Sequence, residues 1–417
     1  MKFRFICNAC GIFIGSKGTT LLMDPWLDDG VFEGSWCNFP QIKTKHSDLQ
    51  HVDIIYLSHI HPDHYDDRFF NYRKDIPILI LDDKYNFLDK KLTSKGYTNI
   101  LKLKDKNEFK FREFSLTLFE PFAKHTFHES VLGNLIDSAL LVKDIDGTTA
   151  FNANDNTPSI NACRKLKDNF GTFDLVMINY NAAGPYPSCF QNLSNQEKKK
   201  EHKNVLNRNI NHLIECCNVL KPNSILPFAG AYVLGGKEWR KNEFLGTTTW
   251  DECRKAIEMR SNHNVITMQE NNILNINNLQ LEFPYIPINV TEMQEYISQT
   301  LSKIIYPYEQ DPPVSDHELE SLLSKSIEKF REKINRFNIK IKSTITLVLG
   351  EERYLINKGD SEYKTRLDFS LDKRLLLRIL KRQSQWNSAE IGCHIDTYRT
   401  PNNYEVDAHT MMQFLHI

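Results

Sequence analysis

A cluster of metal-binding side chains directly after one apolar run constrains this chain more than any other feature. Residues 52–57 form a continuous β-prone run of the kind that is buried between two layers. The run leads into His59, His61, Asp63 and His64, three imidazoles and a carboxylate within six residues. Such a set suits a borderline metal ion such as zinc, iron or manganese. His59 and His61 should point the same way, whereas Asp63 and His64 can face a second metal position.

The composition argues against nucleic-acid and membrane partners. The chain has 417 residues, of which 41% are hydrophobic and 25% charged, as is typical of globular proteins. A formal net charge of -1 provides no basic field that would gather nucleic acid or anionic lipid. No apolar run of about 18 residues and no signal peptide appear, so no membrane span is expected. Nine scattered cysteines predict reduced thiols in a cytoplasmic protein.

The distribution of apolar residues predicts two units. Residues 1–285 show alternating strand and helix patterns, including a charged helix at about residues 195–220. The composition changes near residue 285, and a long amphipathic helix, short strands and further helices follow. We therefore predict a metal-binding catalytic domain over residues 1–285 and a C-terminal α+β accessory domain over residues 286–417.

The histidine cluster and its surroundings resemble the metallo-β-lactamase superfamily, whose first metal motif is His-x-His-x-Asp-His after a strand. Asp24 matches the family's Asp-Pro strand end, where the aspartate orients the ligand loop. The next family ligand is a histidine, a place that His125 fits best and for which His128 is the alternative. The resemblance implies an α/β fold, an αββα sandwich with two central sheets. The implied metal ligands are His59, His61, Asp63, His64, His125 and Asp155.

One position departs from the family pattern. The last family ligand is normally a histidine after the strand that follows the charged helix. Here that place reads Pro227-Phe228-Ala229-Gly230, without a histidine. Either one metal position has a ligand fewer, or a water, a substrate group or His128 fills it. The donor set therefore differs from that of a standard two-zinc hydrolytic site.

A narrower resemblance extends over nearly the whole chain, to the family of CMP-N-acetylneuraminate hydroxylase and its bacterial relatives. The similar motifs are Asp24-Pro25-Trp26-Leu27, Asp137-Ser138-Ala139 and the segments 152–156, 179–187, 227–230 and 386–392. That family also carries a Rieske domain, whose Cys-x-His and Cys-x-x-His pairs are absent here. Oxygen chemistry would thus need electrons from a separate protein. The tail resembles the sterol-carrier-like domain of several superfamily members and is expected to pack or dimerise, so a homodimer is compatible with it.

Two loops are expected to close the substrate pocket. The loop over residues 179–190 contains Asn181 and Tyr186. The loop over residues 28–40 contains Trp36 and Phe39, which could cover a sugar or base ring or simply pack within the loop.

Three functions fit these features. We rank first a metal-dependent hydrolase with one or two zinc ions, or alternatively iron or manganese, acting on a small polar, sugar- or nucleotide-linked molecule. In it the metal lowers the pKa of a bound water, and Asp63 orients that nucleophile or moves its proton. The second is an iron-dependent oxygenase of a nucleotide-linked or amino sugar, served by a separate electron donor, because histidine and carboxylate ligands with open positions suit iron. The third, a non-catalytic metal-binding assembly protein, is disfavoured by the intact motif.

Overall fold

The computed structural model of the chain describes residues 1–71, 74–83, 87–122, 136–360 and 364–417. Within these ranges the polypeptide forms two large β-sheets, two smaller ones and helices that pack against them. Both large sheets come from the part of the chain before residue 285, and the four-stranded sheet comes from the tail.

The first large sheet has eight strands. They are β1 (Lys2–Cys7), β2 (Cys10–Ile14), β3 (Thr20–Met23), β5 (Ile54–Tyr56), β6 (Ile78–Leu81), β7 (Ile100–Leu103), β15 (Ile273–Asn275) and β16 (Gln280–Leu281). Their order is β16-β15-β1-β2-β3-β5-β6-β7, and the strands from β3 to β7 in this order run parallel. Because the carboxyl ends of parallel strands meet at one edge, the loops after β3 and β5 lie next to each other.

The second large sheet has six strands. They are β8 (Glu108–Phe111), β9 (Phe114–Phe119), β10 (Ala139–Asp144), β11 (Thr149–Asn154), β12 (Leu175–Ile178) and β13 (Ser224–Pro227). Their order is β13-β12-β11-β10-β9-β8, with β11, β12 and β13 parallel and the other pairs antiparallel. Two short strands, β4 (Trp36–Cys37) and β14 (Val233–Leu234), form a separate antiparallel pair.

Alternating side chains of the first sheet divide between two cores. In β3, Leu21 packs between the sheets whereas Leu22 packs on the outer face, and Ile54 and Ile55 of β5 repeat this division. The alternation follows from the two-residue period of a strand. Both faces of the sheet are therefore buried, which explains why its parallel strands are continuous apolar runs.

Helices cover the outer faces of both sheets. They are α1 (Phe87–Ser94), α2 (Ile160–Phe170), α3 (Asn195–Leu220) and α4 (Trp250–Glu258). Leu88 and Leu92 of α1 join the outer core of the first sheet, and Leu166 of α2 and Leu213 of α3 join the core of the second. The predicted αββα sandwich is thereby confirmed.

The tail forms a small α+β unit with its own core. It is preceded by α5 (Val290–Gln299), whose buried Ile297 packs with Cys37 and Val233 of the sandwich. The elements of the unit itself are α6 (Asp316–Phe337), β17 (Thr344–Leu349), β18 (Glu352–Asn357), β19 (Arg366–Ser370), α7 (Lys373–Leu380), α8 (Trp386–Ile391), β20 (Asp396–Thr400) and α9 (Val406–Met412). The sheet order is β18-β17-β19-β20, and Leu319, Leu323 and Phe330 of α6 are buried in this core. The boundary at residue 285 and the sterol-carrier-like character of the tail stay predictions.

The helices and cysteines agree with the expectations from composition. Among the described residues, none of the helices combines the length and the apolar character that crossing a lipid bilayer requires. All nine cysteines are buried and unpaired, as predicted for reduced thiols. The cytoplasmic location stays a prediction.

The segment 384–394 fastens the tail to the sandwich. The ring of His394 donates from Nε2 to the carbonyl oxygen of Phe32 at 2.9 Å. The Ser384 hydroxyl donates to the Glu33 carboxylate at 2.8 Å. These bonds join the loop after β3 to the helices of the tail.

We expect His394 to make the stability of this interface depend on pH. Burial lowers its pKa to about 3, so the folded state keeps it neutral where the unfolded state binds a proton. Its stabilising contribution is complete above the unfolded pKa of about 6.5 and declines as the pH falls toward 3, by up to about 1.4 kcal/mol per pH unit. Urea unfolding at pH 7 and pH 5 should therefore show a smaller loss of stability in His394→Gln than in the wild type. Equal losses in both proteins would contradict this.

Candidate metal centre

The metal-binding motif lies where the edges of the two sheets meet. His59 follows β5 after two intervening residues, and Asp24 directly follows the neighbouring parallel strand β3. From the second sheet, Asp155 directly follows β11, and Asp137 lies two residues before β10, which is antiparallel to β11. Strand ends thus bring side chains from distant parts of the chain to one place.

His59 and His61 converge on a common point. His59 Nε2 lies 2.9 Å from His61 Nδ1 and 3.4 Å from an Asp137 carboxylate oxygen. The ligand atoms of these three residues lie within 4.8 Å of one another. They form one set of donors that could hold a metal ion.

A second set is formed around His64. Its Nε2 lies 3.3 Å from Asp155 Oδ2 and 3.2 Å from Asp63 Oδ2. The ligand atoms of His59, His64 and Asp155 also lie within 4.8 Å of one another. Because His59 belongs to both sets, the two candidate positions are adjacent, and the Asp155 carboxylate lies between the histidines.

The hydrogen bonds around His64 leave its Nε2 atom without a partner. Its Nδ1 lies 3.0 Å from Asp24 Oδ2, so in the neutral ring Nδ1 donates to the carboxylate and Nε2 carries the lone pair that a cation would bind in place of a proton. Nε2 is buried and makes no hydrogen bond, although it faces the oxygens of Asp63 and Asp155. Buried polar atoms are nearly always paired, so this orphaned nitrogen fits a metal ligand.

Amide side chains hold the carboxylates in place. Asn179 Nδ2 donates to Asp155 Oδ1 at 3.0 Å, which leaves Oδ2 facing the histidines. Asn8 Nδ2 lies 3.4 Å from Asp63 Oδ2, while Asn8 Oδ1 accepts from the Ala231 amide at 2.9 Å. Both contacts restrict the rotation of a candidate ligand.

The pKa values of the three histidines differ. Burial lowers the pKa of His59 and of His61 to about 4, and the nearby imidazoles add to the effect. Burial also opposes the protonation of His64, but the negative charges of Asp63 and Asp155 outweigh it and raise that pKa well above its usual value. His59 and His61 are therefore neutral at ordinary pH, as ligands must be.

The two carboxylates from the second sheet are also distinct. Burial raises the pKa of Asp137 to about 6, and the charge of Asp155 contributes. For Asp155, burial acts in the same direction, but attraction to His64 dominates and holds its pKa well below the usual range. The centre therefore carries closely spaced negative charge that a cation can neutralise.

Asp137 was not predicted as a ligand, although its motif was noted. The side chain is positioned by its neighbour, because the Ser138 amide and hydroxyl both donate to the Ser58 carbonyl, at 3.2 and 2.7 Å. The Tyr56 and Ser138 hydroxyls are 2.9 Å apart. The sequence signal that could have identified Asp137 as a ligand is an acidic residue just before a buried strand. His125 and His128 lie outside the described residues, so their predicted roles stay predictions.

The position of the missing last histidine is filled by core packing. Phe228 is fully buried, with its ring in edge-to-face contact with Phe3 and Phe5 at centroid distances of 5.8 and 6.3 Å. Its side chain is therefore directed into the sandwich. Asn8, which contacts Asp63, is the polar side chain found near the corresponding part of the centre.

Asn181 and Tyr186 have other partners. The Asn181 amide donates to the Gly230 and Thr248 carbonyls, at 2.9 Å each, and so ties three loops together. The Tyr186 hydroxyl donates to Glu201 at 2.9 Å. These bonds lie within the scaffold, and the predicted part of either residue in a substrate loop stays a prediction.

Trp36 and Phe39, the two aromatic residues of the loop over residues 28–40, differ in whether they can contact a ligand. Trp36 is fully buried and stacked on Tyr232, with ring centroids 3.4 Å apart, so it packs within the fold and does not cover a ligand. Phe39 lines a cavity of about 680 Å³. Asn8 lies in the wall of this cavity and contacts Asp63, whereas the candidate ligands that the structure describes do not line the cavity.

Comparisons with curated proteins give partial matches. No protein-family model matches the chain. A Mycolicibacterium smegmatis protein named "Putative Rieske 2Fe-2S iron-sulfur protein/" is 32% identical over 187 residues, 43% of this chain and 34% of that protein. A Mycobacterium tuberculosis protein of similar name is 30% identical over 183 residues, again 43% of this chain and 34% of the relative. The chain thus spans about a third of the length of the curated relatives it matches.

Solved structures give broader, more distant likenesses. An isothiocyanate hydrolase from Delia radicum gut bacteria aligns with a TM-score of 0.46 and 18% identity, over 66% of this chain and 98% of that one. CmlA, a diiron beta-hydroxylase from Streptomyces venezuelae, aligns with a TM-score of 0.43 and 13% identity, over 64% of this chain and 52% of that one. The metallo-beta-lactamase fold protein YhfI from Bacillus subtilis aligns with a TM-score of 0.41 and 13% identity, over 65% of this chain and 97% of that one.

We expect His61→Ala to lose bound metal while the fold is retained. The substitution removes a candidate ligand from a partly exposed loop and leaves the cores unchanged. Metal content per chain after dialysis, measured by atomic emission, should fall sharply, with the thermal unfolding midpoint little altered. The exposed His51, just before β5, offers a matched control, because His51→Ala should keep its metal. Unchanged metal content in His61→Ala would defeat the assignment.

Proposed function

We propose that this chain, which has the metallo-β-lactamase fold, is a metal-dependent enzyme whose centre serves iron-dependent hydroxylation of a small polar substrate. The observation that supports this most directly is the position of Asp137, 3.4 Å from His59 Nε2. It completes a set of two histidines and one carboxylate with His61. Such a set with open positions is typical of non-haem iron oxygenases.

The proposed ligands divide between two adjacent positions. His59, His61 and Asp137 would hold one ion, and Asp63 and His64 would hold the other. Asp155 would lie between them and bind both, since its Oδ2 is 3.9 Å from His59 Nε2 and 3.3 Å from His64 Nε2. Three imidazoles and three carboxylates make a mixed nitrogen and oxygen set, which suits iron and manganese as well as zinc.

A hydroxylation consumes dioxygen, two electrons and two protons, and yields the hydroxylated product and water. Bound iron would supply the redox chemistry that activates dioxygen. Residues 1–417 lack the cysteine and histidine pairs of a Rieske cluster, so an iron–sulfur group outside these residues would deliver the electrons. The partial likeness to proteins named for a Rieske cluster supports a carrier of this class.

The protein residues around the centre would bind and orient the reactants. Asn179 and Asn8 hold the carboxylates of Asp155 and Asp63, so these ligands are positioned before substrate arrives. The cavity lined by Asn8 and Phe39 combines aromatic faces with polar groups, as a polar ring would require. Its lining includes Phe5, Asn38, Phe39, Lys43, Trp250 and Glu270.

Hydrolysis is the second candidate. The observation that favours it is the placement of Asp63, whose Oδ2 faces His64 and is held by Asn8. A carboxylate at this position could orient a metal-bound water or take its proton, as proposed for a zinc site. Zinc would supply the activation of a water molecule, which would add to a polarised carbonyl or phosphoryl group of the same small, polar class of substrate and release the leaving group.

We expect Asp137→Ala, but not the exposed control His51→Ala, to lose one metal ion per chain. The reason is that an Asp137 carboxylate oxygen lies 3.4 Å from His59 Nε2, within one of the two donor sets, to which His51 does not belong. Titration with Fe²⁺ under anaerobic conditions should show affinity for one ion falling by about 10–100-fold in Asp137→Ala. Circular dichroism would verify the fold of both variants. Wild-type affinity for both ions in folded Asp137→Ala would contradict this assignment and remove the main support for iron.

We expect protein purified without added metal to contain iron and to consume dioxygen. The assay would combine the protein, a chemical one-electron reductant and candidate CMP-sugars or amino sugars, and would follow oxygen uptake together with product mass. Uptake should match a product heavier by one oxygen atom and should be absent in His61→Ala. Zinc content, no substrate-dependent uptake and a hydrolysed product would instead establish the hydrolase.

A further inference from the structure

One ring nitrogen of His61 faces the tail. Its Nδ1 points to His59, at 2.9 Å from Nε2 of that ring. Its own Nε2 lies 3.2 Å from the side-chain amide nitrogen Nδ2 of Asn387, a residue of α8 that is 326 positions further along the chain. The ring is thus held between the sandwich and the tail, and each nitrogen has a different neighbour.

The contact with Asn387 determines which nitrogen of His61 is available to a cation. If Nδ1 binds the ion, the proton of the neutral ring lies on Nε2 and needs an acceptor. The amide of Asn387 has an oxygen and a nitrogen of nearly the same shape, and rotation by half a turn presents the oxygen. The geometry therefore suits an Nε2–H bond to the Asn387 carbonyl.

The tail holds Asn387 firmly in this position. The preceding residue, Trp386, is fully buried, with its ring edge-to-face against Phe369 at 5.1 Å between centroids. At the other end of α8, the Ile391 carbonyl accepts a hydrogen bond from Trp36 Nε1 at 3.3 Å. Both ends of this short helix are therefore anchored, one in the core of the tail and one on the sandwich.

The opposite side of the His61 ring is bounded by the same interface. The ring of Phe32 lies 6.2 Å from that of His61, and its carbonyl accepts from His394. The loop that touches His61 is therefore the loop on which the tail docks. The position of the tail and the orientation of the ring are coupled.

We propose that Asn387 is a positioning residue for His61, so that the tail completes the metal centre. This rests on the proposed metal site but not on the reaction that the site catalyses. Asn387 fixes the tautomer and orientation of His61 by accepting from Nε2. The tail is then a component of the centre and not a separate accessory module.

The test is Co²⁺ binding by the full chain. Three variants would be compared with the wild type: Asn387→Leu, which removes the acceptor at similar volume, Asn387→Asp, which keeps it, and Ser384→Ala. Ser384 is the matched control, since it bonds Glu33 across the same interface. Competition with a chelator would give the affinity, and the visible absorption of bound Co²⁺ would report its ligand geometry.

We expect Asn387→Leu to weaken Co²⁺ binding by about 10–100-fold and to change the absorption bands. Asn387→Asp should bind within a few-fold of the wild type, and Ser384→Ala should have the wild-type affinity and spectrum. If Asn387 had only a structural role, Asn387→Leu, Asn387→Asp and Ser384→Ala would all weaken Co²⁺ binding to a similar extent. Thermal unfolding would verify that each variant is folded.

The outcomes separate this inference from the proposed function. If folded Asn387→Leu binds Co²⁺ with wild-type affinity and spectrum while His61→Ala does not bind, Asn387 has no positioning role and the metal site stands. If both Asn387 variants and Ser384→Ala weaken binding equally, the interface alone matters and the inference is overturned. If His61→Ala also binds as the wild type does, both the metal site and this inference fail.

Discussion

The buried carboxylate of Asp24 is the interaction on which the rest of the centre depends. It is fully buried and accepts from the Ser58 amide and hydroxyl, both at 2.8 Å, and from the Asn154 amide, and it faces His64 Nδ1. A buried charge is costly unless its hydrogen-bonding capacity is used, and here donors from both sheets use it. One side chain therefore fixes the ends of two sheets relative to each other and selects the tautomer of a candidate ligand.

The sandwich was predicted from the family resemblance of the histidine motif, whereas the closeness of the motif's own side chains follows from local sequence. His59, His61, Asp63 and His64 lie within one loop, so a strand followed by that loop brings them together wherever the rest of the chain folds. Strand boundaries were less predictable, because the run at residues 52–57 continues beyond the three residues that form β5. Whether these side chains bind a metal stays a proposal, since geometry alone brings them close.

The residues that sequence analysis missed act through long-range contacts. Asp137 depends on the pairing of β10 with its neighbours, and Asn387 depends on how the tail docks, which no local period encodes. Short edge strands such as β16 were missed because two residues carry no detectable pattern. Trp36 illustrates the same limit, because an aromatic residue in a loop fits ligand binding and packing equally well until its stacking partner is known.

The close fit at Gly392 has a consequence for how the chain can vary. A methyl group added there would come within 2.6 Å of the Phe32 carbonyl and 2.9 Å of the Ser35 hydroxyl, so even alanine would push the tail from the loop beneath it. Displacement of that loop would also move the aromatic ring beside His61. Substitution of a glycine far from the histidines in sequence would therefore disturb the surroundings of His61.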